Sequence, residues 1–588
     1  MARSELLERF LLPRPSVEDR FAEGKHLRTR VPREAHAAYQ PPPQRRNPVD
    51  ILLEQAKTRL PQLVPIRHTR MLESPFAFLR GAAAVMAADL RRSPVSGINV
   101  QACGDMHAAN LGVFASAERN LVFGINDFDE TLIGPWEWDL KRLAASVAVI
   151  NRFIGDSKRN GEDAIRAMVS SYREHMREYA EYGFLESWYA RIDEDEVMNA
   201  LSPRARKRVK AVFDKARTRT HLQVLDKMTA LVDDKQRIVE DRPLIVRETH
   251  AADGTPILEA LEMFLKDYMP TLIDDRRRLL SQYQILDVAR KVVGVGSVGT
   301  RCWIIFLRGR DGNDPLFLQV KEAQPSVLAT YGGLAAKAGH EGKRIVDGQR
   351  LIQGAPDIFL GWGSVKGLSF YVRQLRDMKG GVEISPESDK EVAAEYCGLC
   401  GWALALAHTR GGDAAKIAGY VGRSEALDDA IVEFAWAYAD QTEADHAEMV
   451  KAAKTGRIEV ADEHGRVVAR ARKPAAKKRA AARSKPRAPP RGRARRRPRC
   501  GLPSRLSPSP RGRARSGPRT PTRTRRSRHR APRCGRHSPR SSRHRRHARA
   551  RVPAPSHTAR STRPPLPCRS PARSRHRPSC RGAGARRT

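Results

Sequence analysis

The hydrophobic pattern changes period several times along this chain. Between Asp50 and Leu60, the residues Ile51, Leu52, Leu53 and Leu60 fall on one helical face. Ser74 and Pro75 supply a cap and a first-turn residue for a second helix reaching to about Leu90. Residues Gly97–Ala102 and Leu121–Ile125 are short runs that suit strands. Leu140–Ile154 returns to helical spacing, with Lys141 and Arg142 on the face opposite the apolar one and Asp139 as a natural cap. Residues 160–280 are charged and helical, anchored by Trp188, Tyr189 and Phe213, and the basic run Arg204–Lys210 fits a solvated helix face. β-Branched and aromatic runs then mark strands at Cys302–Leu307, Pro315–Lys321 and Leu368–Leu375, with a helix predicted over Gly339–Gln353. Helices resume from Glu391 to about Ala453.

This order divides the chain into five parts. Residues 1–45, ending in Gln40-Pro-Pro-Pro-Gln44, are expected to be an irregular arm. Residues 46–280 form a large lobe with a helical insertion, 281–378 a small β-rich lobe, and 379–455 the helices that complete the large lobe. Residues 456–588, rich in Arg, Pro, Ser and Ala and without an aromatic residue, cannot bury enough apolar surface to offset chain entropy and are expected to be disordered. The fold class is α+β.

Charge changes the picture only for the last part. The formal net charge is +42, yet no Asp or Glu follows Glu463 and 43 Lys and Arg lie from Arg466 onward. The remaining 65 basic residues balance 66 acidic ones, so the body is close to neutral. The tail is a candidate for nonspecific, salt-sensitive binding to nucleic acid. Cys397-Gly-Leu-Cys400 lies in a predicted buried helix without a second ligand pair, which favours core packing over a metal or redox role. The start, Met1-Ala-Arg-Ser-Glu-Leu-Leu, lacks the apolar core of a signal peptide, and no run approaches the ~20 apolar residues of a membrane span. A soluble, cytoplasmic protein is expected.

The chemistry concentrates in Cys103-Gly-Asp-Met-His-Ala-Ala-Asn-Leu-Gly112, Ile125-Asn-Asp-Phe-Asp-Glu130 and Trp136-Glu-Trp-Asp-Leu-Lys-Arg142. Asp105 and Asn110 have the D-x-x-x-x-N spacing of the kinase catalytic loop, where the Asp accepts the acceptor hydroxyl proton and the Asn holds magnesium. Asp127-Phe128-Asp129 follows an apolar strand, as the magnesium-bearing Asp of kinases does. Phosphoryl transfer needs hard oxygen ligands and an oriented hydroxyl, and carboxylates and a carboxamide supply both. His107 lies between Asp105 and Asn110, where it can touch the acceptor or pack within the loop. Arg80 can contact a phosphate or pair with a nearby acid.

Gly294, Gly296 and Gly299 form G-x-G-x-x-G. A dinucleotide fingerprint would open a helix, but a strand follows here. Strand, glycine loop and strand is the arrangement in which kinases cover phosphates, and Lys321, at the end of the next strand, is the candidate phosphate-binding lysine. Its acidic partner should come from the following helix, where Asp347 and Glu341 both qualify.

G-D-x-H-x-x-N, D-F-D and a later D-L resemble the aminoglycoside phosphotransferase and choline kinase branch of the kinase-like superfamily. The longer strings GDMHAANLG, INDFDE and GPWEWDLKRLAAS are closer still to an uncharacterised bacterial family, domain of unknown function 2252, from about Arg67 to about Tyr438. Cys103 stands where the phosphotransferase pattern usually has His. The resemblance implies a protein-kinase-like, two-lobed fold, circularly permuted because the Asp105 loop precedes the glycine loop. It implies ATP and Mg2+ as cofactors, a small-molecule hydroxyl acceptor, Asp105 and His107 in catalysis, and Asn110, Asp127 and Asp129 on the metal. Gly294, Gly296, Gly299, Lys321 and Asp347 would hold the nucleotide, and Asp139 would steady the catalytic loop. Adenylyl transfer, nucleotide binding without turnover, or nucleic-acid docking through the tail are the alternatives.

Overall fold

The computed structural model describes residues 5–469, apart from 252–253, 337–338 and 376–377. The chain divides between residues 480 and 481. The expectation of a disordered tail lies outside the described residues from 470 onward.

Helices and strands mix throughout, as expected. A first set of short strands, β1 (Asn99–Ala102), β2 (Leu111–Ala115), β3 (Leu121–Ile125) and β4 (Leu132–Pro135), carries the Asp105 and Asp127 segments. β1 pairs antiparallel with β4, and β2 with β3. Their backing is a helical core, in which Trp136–Phe153, Lys158–Glu181, Ala393–Gly411, Ala414–Val421 and Ala426–Lys454 bury their apolar stripes together. Cys397 and Cys400 lie buried in the third of these helices as free thiols. Among the described residues no helix is long and apolar enough to cross a membrane.

The second framework is an antiparallel sheet. After the hairpin β5 (Thr229–Val232) and β6 (Lys235–Ile238), the strands β7 (Ile245–Val246), β8 (Gln284–Lys291), β9 (Cys302–Arg308), β10 (Pro315–Glu322), β11 (Gly361–Val365) and β12 (Leu368–Gln374) assemble in the order β11-β12-β10-β9-β8-β7. Alternation puts Ile305, Leu316, Leu318, Val320 and Phe370 on one face, against Phe264 and Tyr268 of the Ile257–Tyr268 helix. Ile304, Phe306 and Phe317 point the other way and are covered by Val224 and Ile238. Register places Cys302 and Tyr371 beside Lys321 on this second face. A short strand β13 (Gly380–Gly381) pairs with β2 and leads back to the helical core.

Four expectations need correction. The arm at 1–45 contains a helix, Val17–His26, closed by a capping box at Ser16 and Asp19. It lies so close to the Ala414–Val421 helix that a Cβ on Gly24 would sit 2.0 Å from Lys416 O. The helix predicted up to Leu90 is broken at Ala82 into Pro75–Gly81 and Ala83–Leu90. The region from His221 to 280 belongs with the sheet rather than with the large lobe, because its apolar residues are spent on both sheet faces. The final part does not begin at 456, since β14 (Val460–Ala461) pairs with β15 (Val467–Ala469) and Ala461 is buried beside Ile66.

Candidate active site

The loop after β1 is held from below by one carboxylate. Asp139 accepts from the backbone N–H of Cys103 at 2.6 Å and of Gly104 at 2.9 Å. It does not cap its helix, which starts at Trp136 behind Pro135; it points out of the first turn into the loop. His408 lies 3.4 Å from the same carboxylate through Nε2, with Tyr172 Oη 2.9 Å from its Nδ1. His408 thereby orients Asp139. Gly104 turns the loop at φ 85°, and a Cβ there would meet Glu130 O at 2.4 Å.

Asp105 leaves this turn against Arg142, whose Nε donates to Oδ1 at 2.7 Å and whose Nη2 also donates to Leu79 O at 3.0 Å. Arg142 and Lys141 are buried, not on a solvent face, because the Trp136–Phe153 helix is enclosed on all sides. His107 is 7% exposed with an unpartnered Nδ1, and burial pushes its imidazole down to about 4, so it is neutral near pH 7. The Asn110 carboxamide nitrogen donates to Asp105 O at 3.3 Å and Asp127 O at 3.2 Å, which leaves its oxygen for a cation.

β10 brings Lys321 to the same place. Lys321 is 2% exposed, ion-paired with Asp129 and 3.9 Å from Asp127 Oδ1. Burial opposes its charge, but the two carboxylates outweigh burial and raise its pKa. Asp129 is further fixed by Tyr371 Oη, donating at 2.7 Å, and by Ser297 Oγ, donating at 3.2 Å. Burial likewise opposes ionisation of Asp127, yet Lys321, Arg373 and Lys379 hold it below the usual carboxylate range. Asp127 keeps the more open side chain, 44% exposed, on the cavity. Asp347 is a correction: it pairs with Lys343, and Glu341 with Arg344, so neither helix acid serves Lys321.

The glycine loop joins β8 to β9 as a strand–loop–strand unit, with φ of 65° at Gly294 and 91° at Gly299. It is tied to the N-terminal helices: Arg70 Nη1 donates to Gly294 O at 2.6 Å, Arg59 Nη1 to Val298 O at 2.6 Å, and Leu60 N to Gly299 O at 2.7 Å. Asp105, His107, Asn110, Asp127, Asp129 and Gly294–Ser297 therefore line one cavity of about 160 Å³. Glu130 joins them, its carboxyl pushed up to about 7 by burial against the pull of Val327 N–H and Arg344.

Sequence reasoning missed Arg142, Tyr371, Ser297 and Glu130. Glu130, the acid directly after D-x-D, and Ser297, inside G-x-G-x-x-G, carried a local signal; Arg142 and Tyr371 reach the site through long-range packing. Among the described residues no group of three or more His, Cys, Asp or Glu is arranged to hold a metal ion. The candidate set here is smaller, with Asp127 and the Asn110 oxygen open and Asp129 engaged by Lys321. That suits magnesium, which keeps several waters and needs only one or two carboxylates beside phosphate oxygens.

Residues 59–452 match the family described as "Uncharacterized protein conserved in bacteria (DUF2252)", and the chain belongs to that family. No curated protein and no solved structure matches it.

Proposed function

We propose that this member of a bacterial family is an ATP- and magnesium-dependent phosphotransferase with a kinase-like, circularly permuted fold, acting on a small-molecule hydroxyl acceptor. One observation carries the reading: Lys321, from a segment almost two hundred residues downstream, pairs with Asp129 and lies 3.9 Å from Asp127, two carboxylates that line the cavity shared by Asp105 and the glycine loop. The order of parts supports it. The glycine loop lies between β8 and β9, the lysine on β10 and a helix follows, as in kinases. Geometry and role, not chain order, define such a site.

Each residue then has a task. Asp105, held by Arg142, orients the acceptor hydroxyl and takes its proton. Asp139 keeps the loop in place through two backbone N–H groups. Lys321 turns from its carboxylates toward phosphate oxygens, and the loop around Gly294, Gly296 and Gly299 offers them backbone N–H groups. Magnesium, held through Asp127 and the Asn110 oxygen, would supply positive charge against the charge that spreads over the transferred group. The test is thermal stability of the full chain. Magnesium with ATP should raise its melting temperature, ATP with a chelator should do so less, and Asp127→Ala should abolish the magnesium-dependent part. Equal responses of both proteins, or none, overturn the reading.

A second reading, nucleotide binding with adenylyl transfer or without turnover, is favoured by a different observation. The Lys321 face of the sheet is covered beyond Gln319 by the His221–Met228 helix and β6, with Val224 and Ile238 against Ile304, Phe306 and Phe317. The backbone after β12, which corresponds to the base-reading hinge of kinases in this reading, is engaged too: Leu375 N donates to Phe317 O at 2.9 Å and Met378 N to Arg219 O at 3.0 Å. Residues 376–377 lie outside the described residues. Mass spectrometry of the products separates the readings, since phosphoryl and adenylyl additions differ in mass and unmodified acceptor marks no turnover.

A further inference from the structure

The active-site cavity is also lined by arginines that the phosphotransferase reading does not use. Arg59 and Arg67 come from the segment before Thr69, and Arg80 from the Pro75–Gly81 helix; all three line the cavity. Arg67 is 1% and Arg59 8% exposed. Arg59 Nε, Arg67 Nε and Nη1, and Arg80 Nε are buried without a hydrogen-bond partner. Their other contacts are neutral: Arg59 donates to Val298 O, Arg67 to Gly81 O at 2.7 Å and Gln55 Oε1 at 3.3 Å, and Arg80 lies over the Phe76 ring.

The carboxylates of this cavity are committed elsewhere. Asp105 is paired with Arg142, Asp129 with Lys321, and Glu322 with Arg301, while Glu130 accepts from Val327 N at 2.7 Å. Asp127 faces Lys321 and the candidate cation position. Among the described residues no carboxylate lies within ion-pair distance of Arg59, Arg67 or Arg80; burial lowers the pKa of each, and the more distant Glu130, Glu322 and Asp129 around Arg59 and Asp105, Asp127 and Glu73 around Arg80 offset it only in part. Buried charge is retained at such a cost where a ligand neutralises it. A carboxylate is satisfied by a single guanidinium fork; three cations lining one cavity suit a multiply charged tetrahedral group with several oxygens.

We infer that Arg59, Arg67 and Arg80 form an anion subsite for a phosphate-type oxyanion, carried either by the donor's polyphosphate or by a phosphorylated acceptor. The choice between those two carriers rests on the phosphotransferase reading; the subsite itself does not.

The experiment measures melting temperature of the full chain with inorganic phosphate and with pyrophosphate, in chelator, against sodium chloride of equal ionic strength. Anions bound to the basic tail do not discriminate folded from unfolded body and leave the melting temperature unmoved. Wild type and Asp127→Ala should both be stabilised. Arg80→Met and Arg67→Met should need about 10-fold more anion for the same shift, the loss of one charge-assisted contact. Among the described residues Arg80 has no hydrogen-bond partner, so Arg80→Met without ligand should melt at or above the wild-type temperature, which separates lost binding from lost folding. If Arg80→Met also loses its response to magnesium-ATP, the anion is the donor's; if that response is intact, it is the acceptor's. Equal anion shifts in wild type and both arginine variants, or no shift in wild type, overturn the subsite. A phosphate shift without any magnesium-ATP shift leaves the subsite standing and removes the phosphotransferase.

Discussion

At the scale of single residues, the site is a set of buried charges whose states depend on one another. Glu130 makes this measurable. Its carboxyl is held protonated up to about 7, whereas an unfolded glutamate ionises near 4.5. Between those values the folded state binds more protons than the unfolded one, so this residue makes stability fall as pH rises from 4.5 to 7. Lys379 has the opposite sign: burial first, then Arg373, push it down to about 7 from 10.5, so its contribution makes stability rise from pH 7 to 10.5. Subtracting the pH–stability curve of Glu130→Gln from wild type should give a decline confined to the lower window. A flat difference would contradict the burial of Glu130. Asp139→Ala strands two loop N–H groups and should cost about 3 kcal/mol in denaturant unfolding, with acceptor turnover reduced more than magnesium-ATP binding. The acidic motif and Lys321 were legible because their residue types and spacing are local. Arg142 was not: charges at helical spacing read as a solvated face, and only the packing of neighbouring helices encloses it. Asp347 failed for a related reason, since the rotation of its helix about the axis is set by tertiary contacts and leaves Asp347 on the exposed face, paired with Lys343 one turn away.

At the scale of elements, the strand–loop–strand unit at 284–308 could be read from β-branched runs flanking the glycines. The covering of its neighbours could not. The helix His221–Met228 is amphipathic, but its sequence does not say which core takes its apolar stripe, and it was assigned to the wrong framework. This helix lies on the sheet face that extends from Lys321 toward the backbone after β12. If a nucleotide base needs that face, helix and base compete. Val224→Ser together with Leu225→Ser loosens the helix and should then raise magnesium-ATP affinity roughly 3- to 10-fold, measured by the ligand dependence of melting temperature. Unchanged or weaker affinity would show that the base lies elsewhere. The N-terminal helices matter for the same cavity: Arg59 and Arg70 fasten the glycine loop, so the segment from 59 to 81 is part of the site wall rather than a lead-in to it.

At the scale of the whole molecule, two frameworks meet at one seam. The helical core supplies Asp105, Asn110 and Asp127; the sheet supplies Lys321 and Tyr371; the seam closes through Asp129. The mixed fold and the meeting of distant motifs were foreseen, whereas the boundary near residue 280 was misplaced because charged amphipathic helices look alike whichever core they serve. The basic tail is a separate matter of charge. Nonspecific DNA binding by the full chain should weaken steeply between about 50 and 200 mM salt. Ending the chain at Ala469 should remove that binding and leave the magnesium-ATP response of the body unchanged; a lost nucleotide response would tie the tail to the site. The meeting of lysine and carboxylates is the central claim, and a site-resolved label tests it most directly. An acyl phosphate of ATP transfers its acyl group to a lysine amine beside the bound phosphates, and peptide mass spectrometry locates it. Acylation of Lys321, suppressed by excess ATP and lost in Asp127→Ala, is the expected result; labelling spread over other lysines with Lys321 unmodified would contradict it.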